Sequence, residues 1–355
     1  MIRKNGGFVN FQMAIHHRRL DKYGGFIIIK KQFCIIRRVS DFMKQRSLYI
    51  FYYLKHLHHR ARAKFTHSYN DLSAPFLGKR PPSDEEANAL IKRYLTSNEP
   101  FALCRLGSAE FTLVQLYDEY RLFHSNRLPQ SNMYDIFHRN PDEVGAWVEL
   151  LRKDCKDIDV MAYFDDHPIE EYVIRTSCRR EMEQIRLEQI EAMLYEDPWT
   201  LALEGKKVLL ISPFVDSMVA QYPHIDKIYE GRKMLPAMEL KTLKSVWFSG
   251  APEDDFETWF DALNYLYEEA MKIDFDVALL SCSAFGFNLA PMFKRAGKQA
   301  IQYGGALQML FGIRGARWDN YPPYMKFYND YWIRPPKDTT PSKGFVKKMD
   351  DGCYW

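Results

Sequence analysis

Phe101-Ala-Leu-Cys-Arg105-Leu-Gly107-Ser108-Ala-Glu110-Phe111 is the stretch that sets the architecture. Its apolar start reads as a strand over 100–104 buried on both faces, because a sheet face open to water would alternate with polar residues. Gly107 supplies a tight turn. A helix follows from about 109 to 120, with Leu113, Val114 and Tyr117 on one face. A strand that turns directly into a helix leaves the first helical N–H groups unbonded at its carboxyl end, where the helix dipole favours an anion. Arg105, Ser108 and Glu110 crowd that same turn.

Working outward, the same pattern recurs. Upstream, Ser83 and Glu86 have capping-box spacing, and Leu90, Ile91, Tyr94 and Leu95 give a helical stripe. Downstream, a helix is expected at 142–153, a strand at Val160–Phe164, and one or two helices over 168–194. A second half opens with the strand Lys207–Ile211, followed by Ser212-Pro213-Phe214. Phe256, Trp259, Phe260, Leu263, Leu266, Tyr267 and Ala270 mark an amphipathic helix. Phe275–Leu280 and Gln299–Tyr303 read as strands, each running into a small-residue turn and a helix. Continuous apolar strands alternating with helices predict an α/β, Rossmann-like fold, its sheet mainly parallel with helices on both faces. Ligands of such sheets sit outside the carboxyl ends of the strands. The turns at 105–110, 212–216, 281–286 and 303–308 all lie at such ends, so one crevice is expected to gather them.

Composition bounds the rest. The chain has 355 residues, 46% hydrophobic and 27% charged, which is ample for a large core. A net charge of +3 gives no case for a nucleic-acid partner. The six cysteines form no C-x-x-C pair, which argues against a zinc knuckle or disulfide framework and points to a reducing, cytoplasmic setting. No apolar run approaches the roughly 18–20 residues of a spanning helix, and no signal peptide is evident. Residues 1–70 are basic and aromatic, with Asp21 and Asp41 their only acids. The expected organisation is a basic extension over 1–79, a domain over 80–330, and an aromatic tail over 331–355 docked on it. The extension reads as loosely helical, or as a peripheral patch on an anionic membrane through residues 1–65.

Each candidate residue has a plain structural alternative. Arg105 can clamp a pyrophosphate bidentately or form an ion pair. Glu110 can accept from hydroxyls, hold a metal, or favour the dipole of its own helix. Ser108 can bind a ligand or cap the helix. Ser281, Ser283 and Gly286 form a turn that admits a ligand to the backbone, without the G-x-G-x-x-G of dinucleotide sites or the G-x-S-x-G of hydrolases. Gly304 and Gly305 allow either a ligand or close packing. Ser212 is a further polar candidate at a strand end, and Arg314 and Arg317, after Gly312, can be phosphate ligands or a solvated helix end. Cys282 has no histidine nearby in sequence to activate it. His167 and His224 stand alone. Asp216 and Glu239 are possible bases.

Arg105-Leu-Gly-Ser-Ala-Glu110 resembles the R-F-G-D-G-E segment of GT-D-type glycosyltransferases, bacterial enzymes that act with nucleotide-activated sugars. Gly205–Phe214, Gly304-Gly-Ala-Leu-Gln-Met-Leu-Phe-Gly-Ile-Arg-Gly315 and the terminal Gly-Cys-Tyr-Trp355 are similar to proteins of surface-polysaccharide gene clusters. The resemblance implies a nucleotide-sugar donor, a glycan or lipid-linked acceptor, and catalytic roles for Glu110 and Arg105. It also implies a divalent cation, Mn²⁺ or Mg²⁺, at the motif's Asp and Glu. Glu110 matches the Glu, whereas Ser108 stands where the family has Asp. A serine hydroxyl can still ligate Mg²⁺, as in P-loops. Two alternatives remain open on the same scaffold: another group transferase, or a non-catalytic nucleotide-binding or scaffold protein.

Overall fold

The computed structural model describes residues 24–66, 76–125, 137, 141–164, 167–248, 255–336 and 354–355. The parts of the expected extension and tail at 1–23, 67–75 and 337–353 lie outside the described residues. Contacts divide the chain into two compact units, residues 1–48 and 49–355. What is described of the first is helix, the leading part of α1 (Gly24–Thr66).

The second unit carries the sheet. It takes in residues well before 80, because Tyr49 is buried. The Tyr49 hydroxyl donates to Glu119 Oε1 at 2.9 Å, and its ring packs against Phe123 and Tyr172. Helix α2 (Asp84–Ser97) starts with the expected capping box: Glu86 N donates to Ser83 Oγ at 3.2 Å, and Ser83 N to Glu86 Oε2 at 2.7 Å. Then follow β1 (Phe101–Arg105), α3 (Ser108–Phe123), α4 (Pro141–Asp154), β2 (Val160–Tyr163), α5 (Glu170–Ser177) and β3 (Glu183–Arg186). The later half brings β4 (Lys207–Ser212), α6 (Val215–Gln221), β5 (Glu239–Lys244), α7 (Trp259–Met271), β6 (Val277–Leu280), α8 (Phe285–Arg295) and β7 (Gln299–Gln302).

These strands make one seven-stranded sheet in the order β3-β2-β1-β7-β6-β4-β5, with every pairing parallel. The fold is α/β with a parallel sheet. Alternate strand residues serve opposite faces. Leu103, Val160, Ile185, Leu210, Leu279 and Ile301 join the core beneath Ile91 and Leu95 of α2 and Met218 of α6. On the other face, Cys104 Sγ approaches the Phe287 carbonyl of α8 at 3.8 Å. Both faces are therefore covered, as buried parallel strands require.

Two elements differ from the sequence reading. Of the one or two helices expected over 168–194, one forms and ends at Ser177, and the chain then forms β3 and short 3₁₀ turns. Strand β5 was not expected at all. The sheet order places these two strands at its edges, where half-exposed, charge-bearing sequences such as Glu239-Leu-Lys-Thr-Leu-Lys244 are stable without a continuous apolar run.

Candidate functional site

A crevice of about 430 Å³ opens at the carboxyl ends of the strands, within the usual size range of small-ligand sites. Six strand ends feed it. Phe164 follows β2, Arg105 to Glu110 follow β1, and Gln302, Gly304 and Gly305 follow β7. Ser281 to Ser283 follow β6, Pro213 and Phe214 follow β4, and Ser245 to Trp247 follow β5. Arg317 and Tyr354 complete the wall.

Arg105 is held from its backbone. Its N–H donates to Gln302 Oε1 at 2.9 Å, which ties the end of β1 to β7. Its guanidinium lies over the Phe164 ring at 5.6 Å and against Gly304, where a Cβ would sit 2.3 Å from Nη1. Gly304 also has φ +77°, so both its conformation and its lack of a side chain are needed there. Among the described residues no carboxylate lies within 4 Å of the guanidinium. Burial pulls the Arg105 pKa down, and the nearby charge of Glu110 opposes that, as Glu191 does more weakly. An arginine remains protonated at neutral pH regardless. The result is a cation in the crevice wall without an acid paired to it.

Beside it, α3 begins. Gly107 is the N-cap, extended at φ −86° and ψ 167°, and offers no capping side chain. The first intrahelical bond runs from Phe111 N to Gly107 O at 3.1 Å. The amides of Ser108, Ala109 and Glu110 precede it and face an anion-favouring end of the dipole. The Glu110 carboxylate folds back over Gly107, whose missing Cβ would lie 2.5 Å from Oε2. Ser108 is exposed at the helix start, and its carbonyl accepts from Thr112 Oγ1 at 2.7 Å.

Opposite, Ser281 N donates to Ile211 O at 2.8 Å, which seats the β6 turn against β4. Ser283 adopts left-handed φ +53°. A non-glycine residue there is uncommon, and such strain clusters at ligand sites. Tyr354 lies on Gly305, so closely that a Cβ on the glycine would come within 2.2 Å of its ring. Arg317 stacks on Tyr354 at 5.0 Å. Trp355 packs against Phe214 at 5.7 Å and Trp247 at 5.6 Å, and its carbonyl accepts from Ala316 N at 3.0 Å. The last two residues of the tail are thus docked on the rim.

The crevice brings together Arg105, Gly107, Ser108, Glu110, Ser281, Ser283, Gly304, Gly305 and Arg317. It leaves out three other candidates. Ser212 is fully buried, and its Oγ accepts from Phe214 N at 3.2 Å, shaping the turn from behind. Gly286 is buried in α8, where a Cβ would meet Gln302 Cγ at 3.0 Å. Arg314 stacks on Tyr328 at 4.2 Å and bonds Asp319 at 3.4 Å, away from the lining. Neither possible base reaches the crevice lining. Asp216 pairs with Lys244 at 3.0 Å, and Glu239 with Lys241 at the amino end of β5. The Cys282 thiol is buried and pushed far up, which leaves it protonated. His167 stacks on Phe111.

Sequence reading missed the lining residues Phe164, Gln302, Trp247 and Tyr354, and, outside the lining, Glu191. The carboxyl of Glu191, between two 3₁₀ turns after β3, is pushed up to about 7 by burial, against the opposing charge of Arg105. The divalent cation expected at Ser108 and Glu110 has a thin donor set. Among the described residues Glu110 is the one carboxylate in the lining, and no three His, Cys, Asp or Glu side chains converge. Residues two apart on a helix also do not face each other. Among the described residues, the lining side chains do not form a metal cage.

No family model and no curated protein sequence matches the chain. Two solved structures are similar in shape. One is a selenomethionine-substituted structure of domain of unknown function 1792, with a TM-score of 0.39 and 11% identity, covering 63% of this chain and 82% of that one. The other is described as showing that domain of unknown function 1792 has a distinct glycosyltransferase fold. Its TM-score is 0.38 and its identity 13%, covering 62% of this chain and 76% of that one.

Proposed function

We propose that the crevice binds a nucleotide-diphosphate sugar and that the chain is a glycosyltransferase of the GT-D type, acting on a glycan or lipid-linked acceptor. The observation that carries this reading is Arg105, a guanidinium in the crevice wall with no acid paired to it among the described residues, next to the N-terminus of α3. That pairing of a fixed cation with free amides suits a diphosphate. The turn that supplies both is the one that resembles the GT-D motif.

On this reading the diphosphate lies across the amides of Ser108 to Glu110. Arg105 and Arg317 neutralise the charge that builds on the leaving diphosphate as the bond from sugar carbon to phosphate oxygen breaks. Glu110 accepts from donor hydroxyls. Phe164, Trp247 and Tyr354 offer flat surfaces for base or sugar rings. The arginines supply cationic charge, and among the described residues Glu110 is the lining carboxylate through which a divalent ion would meet the donor.

Thermal unfolding against a panel of nucleotides and sugar nucleotides tests the reading, each with Mn²⁺, Mg²⁺ or EDTA. A ligand at a hundred times its Kd adds about 2.7 kcal/mol of stability. A shift with one sugar nucleotide, lost in Glu110→Gln, supports the donor site and names the donor. Sugar transfer then follows from product analysis with that donor. A folded sample that responds to no nucleotide sinks the proposal.

A further inference from the structure

Helix α1 carries ten Lys and Arg and one acid, Asp41, whereas the whole chain is only +3, so the remainder of the chain is net negative. The helix also presents apolar side chains to solvent. Ile50 is 44% exposed, Phe51 59%, Leu54 58% and Leu57 47%, and earlier on the same helix Val39 and Met43 are 58% and 52% exposed. Within the second unit, the spacing of 50, 54 and 57 is that of one helical face. It runs about 10 Å at 1.5 Å per residue. Tyr49, by contrast, is buried, so the exposed stripe is a second apolar face and not the one that seats the helix.

We infer that this stripe is a docking face for an anionic lipid surface, on which α1 lies in the plane of the headgroups. A long basic helix with a continuous exposed apolar stripe has the form of an interfacial helix, and no described helix is long and apolar enough to cross a membrane. Charge decides between possible occupants. A second copy of the same helix would bring two strongly basic segments together, which repels, while acidic headgroups attract each basic residue near the surface. The inference stands on α1 alone and does not rest on the donor reading. It fits that reading where the acceptor is lipid-linked, because the helix would then bring the chain to the surface that holds the acceptor.

Sedimentation of the full chain with vesicles tests it, using neutral phosphatidylcholine with and without phosphatidylglycerol. Binding is expected only with phosphatidylglycerol and is expected to weaken as salt rises. Leu54→Asp changes an exposed position and should abolish binding while leaving the thermal transition in place. Lys44→Glu, also at an exposed position, should weaken binding roughly tenfold or more. Equal binding to neutral vesicles, no binding at all, or indifference to Leu54→Asp overturns the inference. So does light scattering that shows a dimer which Leu54→Asp converts to a monomer, since that outcome gives the face to a second copy.

Discussion

Replacing Arg105 by methionine separates a ligand-binding arginine from a structural one, because the two roles predict opposite signs of stability change. In the free protein the guanidinium has no carboxylate within 4 Å among the described residues, and burial works against its charge. Holding a half-buried guanidinium out of water without a carboxylate in return costs at most about 1–3 kcal/mol. Stacking over Phe164 at 5.6 Å returns roughly 0.5–1 kcal/mol. Methionine fills a similar space with no charge to desolvate. Arg105→Met is therefore expected to leave the free protein as stable or about 1 kcal/mol more stable, read as the urea midpoint at unchanged m-value. Diphosphate affinity should move the other way. A charge-assisted hydrogen bond contributes about 1.5–3 kcal/mol, so Kd for the donor, or for the nucleoside diphosphate alone, should rise roughly 10- to 150-fold by calorimetry. A variant that is clearly destabilised yet binds nucleotide normally would refute the reasoning and return Arg105 to a purely structural role.

Three further outcomes follow from the geometry. Glu191 is raised from 4.5 to about 7, so between those values the folded chain holds a proton that the unfolded chain has released. Stability should therefore fall as pH rises through that window. Glu191→Gln should flatten the fall, gaining roughly 3 kcal/mol on the wild type at pH 8, and identical pH–stability curves would exclude it. Ser283→Gly relieves a left-handed φ of +53° and should add about 1 kcal/mol to stability; if it also weakens nucleotide binding, the hydroxyl is a ligand, and if stability drops, the strain argument fails. Asp118 is fully buried between Arg152 at 2.5 Å and Arg121 at 3.5 Å, so Asp118→Ala should cost about 3–5 kcal/mol by stranding Arg152. A midpoint unchanged in urea would show that water satisfies that arginine.

The central strands were legible because burial on both faces leaves one kind of sequence, a short unbroken apolar run, as in Val208 to Ile211 and Val277 to Leu280. The edge strands were not. Glu183-Gln-Ile-Arg186 and Glu239–Lys244 are half-exposed, and their polar positions are as compatible with a surface helix or loop as with a strand. The turns at 105–110, 281–286 and 303–305 could be placed at carboxyl ends from local pattern alone. What pattern could not supply was register. Gln302 meets the Arg105 amide only because β1 pairs with β7. Ser212 stands at the expected strand end but faces inward, which is a matter of rotation about the chain, and Gly286 already lies within α8. Trp247 enters the crevice from a strand with no apolar run to announce it, and Glu191 draws its character from burial that no local pattern encodes.

The seam between β1 and β7 also fixes when the site can come into being. Its two strands lie at opposite ends of the sheet's chain order, and the Arg105–Gln302 bond spans 197 residues. During synthesis the segment carrying Arg105 and Glu110 leaves the ribosome long before the residues that seat it. Strands β1 to β3 can pair early, but the edge of β1 that will receive β7 stays open, with unpaired backbone groups, until nearly the whole sheet has been made. Long-range parallel pairing of this kind is slow and exposes an adhesive edge while it waits. Refolding should accordingly show the crevice, read through the fluorescence of Trp247 and Trp355, maturing after the bulk of the helix signal. The turn at 105–110 is among the first pieces of the sheet to be made and among the last to be completed.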